Sequence, residues 1–105
     1  MLNQAAIVNG NFIVTSHSKT FYEGDYDFSC NAITMVFLKS RREEVIGGTL
    51  FANGCPGINE ASMIIAAKLK KVVLNREPEN SEELCAVEAL KENNIEIVLN
   101  QNIFL

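Results

Sequence analysis

Residues 49–73 read Thr49-Leu-Phe-Ala-Asn-Gly-Cys-Pro-Gly-Ile-Asn-Glu-Ala-Ser-Met-Ile-Ile-Ala-Ala-Lys-Leu-Lys-Lys-Val-Val73. Thr49 to Ala52 is a short β-prone run. Asn53, Gly54, Cys55, Pro56 and Gly57 form a turn-rich break. From Ile58 or Asn59 to Leu69 the residues favour a helix that is apolar nearly all round (Ala61, Met63, Ile64, Ile65, Ala66, Ala67), which predicts deep burial. Lys70 and Lys71 suit the negative end of its dipole. Val72 to Leu74 is a second strand. Two strands joined by a helix are expected to lie parallel.

The flanking sequence extends this pattern in both directions. Upstream, Ala5 to Val8 and Asn11 to Ser16 are β-rich and bracket Asn9-Gly10, which predicts a hairpin with a type I′ turn. Lys19 to Ser29 is polar and aromatic with Gly24 inside it, and reads as a loop. From Cys30 the pattern turns helical, with Ile33, Val36 and Phe37 on one stripe and Lys39, Arg41, Arg42 and Glu43 on the wet side. Downstream, Asn80 with Glu83 three residues later resembles a capping box. The helix it opens turns Leu84, Val87 and Leu90 inward. Asn93-Asn94 supplies a left-handed end, and Ile95 to Leu99 is the last strand. The order β-β-α-β-α-β-α-β predicts an α/β domain with a five-stranded mixed sheet.

The chain has 105 residues, with 48% hydrophobic and 21% charged. One soluble domain over residues 1–105 is expected. A net charge of −4 argues against non-specific nucleic-acid binding, which needs a positive surface. The longest uncharged apolar run, Ala61 to Ala67, is too short to span a bilayer, so no membrane association is expected. No signal-peptide pattern opens the chain. The three cysteines Cys30, Cys55 and Cys85 are irregularly spaced, as in a reduced cytoplasmic protein.

The text of residues 49–73 resembles the second half of the cytidine and deoxycytidylate deaminase superfamily, which includes the tRNA adenosine deaminases. There a strand beginning Thr-Leu enters a Pro-Cys-x-x-Cys turn, followed by a helix rich in Ala and Ile and a strand beginning Lys-Val-Val or Arg-Val-Val. Residues 5–15 resemble the family's first two strands, and the segment from Cys30 resembles its first metal-bearing helix. The resemblance covers about residues 5–99. It implies a cytidine-deaminase-like fold, here without the helix that usually precedes the first strand.

The resemblance also implies a site. In the family a His-x-Glu helix start supplies one zinc ligand and the proton shuttle, and the two cysteines supply further ligands; zinc lowers the pKa of its water. In this chain the His position is Cys30 and the Glu position is Ala32. Pro56 is kept, while the two Cys positions are Gly57 and Glu60. No ligand position keeps its family residue, and the shuttle has become a methyl group. The resemblance therefore implies a degenerate, non-catalytic member with no catalytic residue and no cofactor. It would act as a binding or assembly subunit that keeps a nucleoside- or nucleotide-sized cleft. The alternative is a divergent zinc-dependent deaminase using Cys30, Cys55 and Glu60, since three ligands suffice for a catalytic zinc.

Other candidates are His17 at the end of the second strand, where many members of the resembled family have His or Tyr followed by an Asn that touches the substrate (Ser18 here), and Tyr22, Asp25, Tyr26, Asp27 and Phe28 in the loop over the former site. Cys85 reads as core. Lys39, Arg41 and Arg42, flanked by Glu43 and Glu44, read as a solvated face. Right-handed crossovers put all the helices on one face of the sheet. The other face would draw residues from Val72, Val73, Leu74, Phe12 and Val14, and the apolar tail Ile103-Phe104-Leu105 is too short to cover it. A homodimer or higher homo-oligomer through that helix-free face is therefore expected.

Overall fold

The structure, a computed structural model, describes residues 4–23 and 26–102, with side chains described outside 21–29. Strands β1 (Gln4–Asn9) and β2 (Phe12–His17) form the expected antiparallel hairpin. Its two-residue loop is Gly10-Asn11, one position later than expected. Only Gly10 has positive φ, at 60°. A type I′ turn needs positive φ at both central residues, so the turn has the type II′ pattern with glycine first.

The segment read as a loop is a second hairpin, β3 (Lys19–Glu23) with β4 (Tyr26–Cys30), in register Lys19↔Cys30 to Glu23↔Tyr26. Its β-prone aromatic residues outweigh the polar ones between them. The side chains of Tyr22, Tyr26, Asp27 and Phe28, and Asp25 as a whole, lie outside the described residues.

Helix α1 (Ala32–Leu38) starts at Asn31, whose Oδ1 accepts the Thr34 N–H at 2.9 Å. A short α2 (Arg42–Val45) follows, then β5 (Thr49–Asn53), α3 (Ile58–Ala66), β6 (Lys71–Leu74), α4 (Ser81–Glu92) and β7 (Glu96–Leu99). Helix α3 stops at Ala66, short of the expected Leu69. Lys68 takes the left-handed conformation at φ 59°, and its carbonyl accepts the Gly47 N–H at 2.8 Å. Lys71 therefore opens β6 and does not close the helix. Nor is α3 buried all round: Ala61 and Ile64 are buried while Ser62 and Ala66 are exposed. Among the described residues no helix is long and apolar enough to cross a membrane.

The five-stranded sheet has the order β2-β1-β5-β6-β7, with β5, β6 and β7 parallel and the rest antiparallel. Register fixes the faces. Leu50 is opposite Ile7 and Val72, and Ala52 opposite Ala5 and Leu74. Those residues are buried with Ile33, Val36, Ile64 and Leu90, so α1, α3 and α4 share one face. Phe12, Val14, Val72 and Leu74 belong to that covered face, which narrows the residues expected opposite to Val73. The helix-free face carries the row Thr15–Ala6–Phe51–Val73–Val98. Ile13 on the same face is 64% exposed, whereas Val73 is 5% exposed yet stands apart from the main core cluster.

In α4, Val87 and Leu90 are buried as expected, but Leu84 is half-exposed and Cys85 exposed. Ala86 takes the inward place instead, because the helix rests on α3 as well as on the sheet. Asn94 supplies the left-handed end at φ 62°.

Candidate functional site

The site lies where β5 ends and α3 begins. Asn53 and Asn75 pin the strand ends: Asn75 Nδ2 donates to Asn53 Oδ1 at 2.6 Å, and Gly54 N–H donates to Asn75 Oδ1 at 2.7 Å. Gly54 sits at φ 116°, a conformation open to glycine. The chain then passes through Cys55 and Pro56, both buried, and enters α3 with Gly57 at the N-cap.

A helix N-terminus leaves amide donors unpaired and carries partial positive charge. Two carboxylates accept two of these amides here. Glu60 Oε1 accepts the Gly57 N–H at 2.9 Å, and Glu82 Oε2, reaching over from the first turn of α4, accepts the Ile58 N–H at 3.2 Å. The oxygens crowd Gly57. A Cβ placed there would sit 2.7 Å from Glu82 Oε2 and 3.0 Å from Glu60 Oε1. Sequence reasoning singled out Glu60 but missed Glu82, because the contact spans 24 positions and joins separate helices.

Beside this N-terminus stands an ion pair. Arg76 forks onto Glu83, with Nη1–Oε1 and Nη2–Oε2 both at 3.0 Å. Its Nε lies 3.2 Å from Glu79 Oε1. The hydrogen bond from Arg76 holds the Glu83 carboxyl below its usual range, and the bond to Glu83 raises the guanidinium further. Glu83 also accepts the Glu79 N–H, so Asn80 caps α4 with half of the expected reciprocal box. Cys55 is 3% exposed. Burial, with the Glu83 charge adding to it and Arg76 opposing, pushes its thiol up to about 11. It is a neutral thiol at pH 7.

Of the residues singled out from the sequence, Cys55, Gly57 and Glu60 line one cleft of about 260 Å³, together with Asn31, Arg76 and Glu82. Cys30 is half-buried at the end of β4, and its segment reaches the cleft through Asn31. Ala32 is fully buried in the core. His17 is exposed and lines a separate groove with Gln4 and Lys39.

This donor set does not fit a zinc ion. Cys55 shares the cleft with Glu60, but the Glu60 carboxylate caps its own helix, and Cys30 is not among the residues that line the cleft. Among the described residues no three His, Cys, Asp or Glu side chains form a metal-holding group. The three carboxylates of Glu60, Glu82 and Glu83 face a single guanidinium, itself engaged by Glu83. The cleft therefore disfavours an anion such as a phosphate.

No family model and no curated protein sequence matches the chain. Solved structures do. A dCMP deaminase from the cyanophage S-TIM5 in complex with dCMP and dUMP is similar over 95% of this chain and 82% of that one, with 20% identity and a TM-score of 0.77. RibD of Acinetobacter baumannii matches at 16% identity and TM-score 0.68, over 91% of this chain and 27% of that one. A diaminohydroxyphosphoribosylaminopyrimidine deaminase/5-amino-6-(5-phosphoribosylamino)uracil reductase of Thermotoga maritima matches at 20% and 0.68, over 91% and 28%. At these identities the likeness is one of fold. Together with the strand order and the helix layer, it establishes that the chain has the fold of the cytidine and deoxycytidylate deaminase superfamily.

Proposed function

We propose that this is a nucleotide deaminase-like protein that has given up deamination and acts as a binding and assembly subunit. One observation carries the reading: the Glu60 and Glu82 carboxylates fill the N-terminus of α3, the place where the family resemblance puts the metal ligands. Ala32 supports it, since a buried methyl group cannot carry protons in place of a glutamate. A single positioned acid–base group is worth about 10²–10⁴ in rate. The remaining cleft accommodates a neutral nucleoside base in preference to a phosphorylated nucleotide, and His17 stands outside it.

The experiment is a deamination panel. Purified protein is incubated with cytidine, deoxycytidine, their monophosphates and adenosine, and products are separated by chromatography. No product above a Cys30→Ala, Cys55→Ala control is expected. Turnover that this double variant loses would overturn the reading and favour a zinc site built on Cys30, Cys55 and Glu60.

Assembly is the second half of the proposal. The helix-free face, with Ile13 exposed and the row Ala6, Phe51, Val73 and Val98, packs against a second copy across a two-fold axis. At about 4.8 Å per strand and about 3.3 Å per residue, five short strands present a patch of several hundred Å². Two such patches approach the roughly 1,000 Å² of a specific interface. Lys71 and Glu96, paired in register on that face, offer opposite charges that a two-fold axis can cross-match. Phe51→Lys should halve the mass measured by light scattering, and an unchanged mass would refute this interface.

A further inference from the structure

The two edges of the sheet are treated differently. At β2, Lys39 at the end of α1 donates from Nζ to the Thr15 carbonyl at 2.9 Å, which blunts that edge against pairing. At β7 the backbone hydrogen bonds fix which groups face outward. Glu96 N–H donates to Lys70 O at 3.0 Å and Asn100 N–H to Leu74 O at 2.8 Å. In a parallel pair each residue turns both backbone groups to one side, alternating along the strand. Residues 96, 98 and 100 therefore face β6, and Ile97 and Leu99 turn N–H and C=O to the open edge. Among the described residues no strand pairs with that edge. Above it, Leu84, Glu88 and Lys91 on α4 line a groove of about 310 Å³ with Ile97 and Leu99. Leu84 is 52% and Leu99 44% exposed.

We propose that β7 pairs with β7 of a second copy, antiparallel, about a two-fold axis perpendicular to the sheet. Register follows from the outward groups. Setting Ile97 opposite Leu99 of the other copy makes two hydrogen-bonded pairs and four N–H···O bonds. Setting Ile97 opposite itself makes one pair and two bonds. The first register also keeps Ile97 and Leu99 of both copies on the helix side, so each half-exposed Leu99 packs on Ile97 of the other copy. Helix α4 is the crossover between β6 and β7 and packs against β7 on the covered face. Continuing the sheet by one strand at about 4.8 Å therefore brings the two α4 helices alongside each other. In antiparallel order the Lys91 stem of one copy covers Leu84 of the other and brings its ammonium towards Glu88. This edge is independent of the deamination reading and of the sheet-face interface. With both interfaces formed about two-fold axes that intersect, the assembly closes as a tetramer of 222 symmetry.

The test is residue-resolved amide hydrogen exchange on the full chain, at low and at high micromolar concentration. Ile97 and Leu99 should slow by about tenfold or more on concentration. Leu84→Lys should abolish that slowing and halve the mass, at a position exposed enough for the fold to survive. Leu99→Pro removes an N–H that no bond within the sheet uses, and it should also halve the mass. Phe51→Lys should leave the slowing intact, which separates this edge from the sheet face. Fast exchange of Ile97 and Leu99 at both concentrations would overturn the proposal. Protection at both concentrations that disappears on deleting residues 103–105 would overturn it as well, and would assign the edge to the chain's own tail.

Discussion

Gly57→Ala probes the crowded N-terminus of α3 directly. Gly57 has φ −87°, so alanine meets no backbone strain there, and the cost must come from contacts and capping. The new Cβ would sit 2.7 Å from Glu82 Oε2, closer than a carbon and an oxygen pack, so the flexible Glu82 side chain must withdraw. Its bond to the Ile58 N–H is then lost. A carboxylate at an exposed helix N-terminus contributes about 0.3–1 kcal/mol. Alanine is also a poorer N-cap than glycine, adding roughly 0.5–1 kcal/mol. The expected destabilisation is about 1–2 kcal/mol, or a Tm fall of about 4–15 °C for a domain this small. Glu82→Ala alone should cost about 0.3–1 kcal/mol. The double variant should cost less than the sum, by about the value of the one bond both singles remove. Urea titration of the four proteins closes the cycle. Strict additivity, or a neutral Gly57→Ala, would refute the claim that Glu82 occupies this position.

Further outcomes follow from the same neighbourhood. Arg76→Ala should cost about 1.5–3 kcal/mol, the range for hydrogen bonds to charged groups, measured by denaturant unfolding. Because Arg76 lowers the folded-state pKa of Glu83, that stabilisation is present above the unfolded glutamate value of about 4.3. It is lost as pH falls through the lower folded value, so Glu83→Gln should flatten the acid limb of the stability–pH curve. Cys55 has the opposite sign: its thiol is raised to about 11, so stability should fall as pH rises above the unfolded value of about 8.5. Cys55→Ala should remove that fall, and in the native wild type exposed Cys85 should react with a thiol reagent well before buried Cys55. Asn94→Gly at φ 62° should be neutral or slightly stabilising, while Asn94→Val should cost about 1–2 kcal/mol.

Much of the fold was legible because local signals agreed with one another. The Asn80 cap and the left-handed Asn94 each mark an element boundary by backbone chemistry alone, and the parallel order of β5, β6 and β7 follows from crossover length. The β3–β4 hairpin was not legible, because its polar residues gave no clean alternation. Leu84 and Cys85 were misplaced because α4 is held by α3 on one flank and left open on the other, and a helical stripe does not reveal which flank has a neighbour. At the site, Cys55, Gly57 and Glu60 were legible as neighbours of one turn. The Glu82 contact and the Arg76–Glu83 fork were not, since long-range partners leave no mark in spacing. Cys30 shows the converse: its position in the sequence pattern suggested a ligand, but the structure brings Asn31 to the cleft in its place.

The central claim is that the turn before α3 is closed by carboxylates and holds no catalytic metal. Elemental analysis of the protein purified from zinc-replete expression tests it without assuming a substrate. The account predicts zinc far below one per chain, unchanged by Cys30→Ala or Cys55→Ala. A value near one zinc per chain that either substitution abolishes would contradict it.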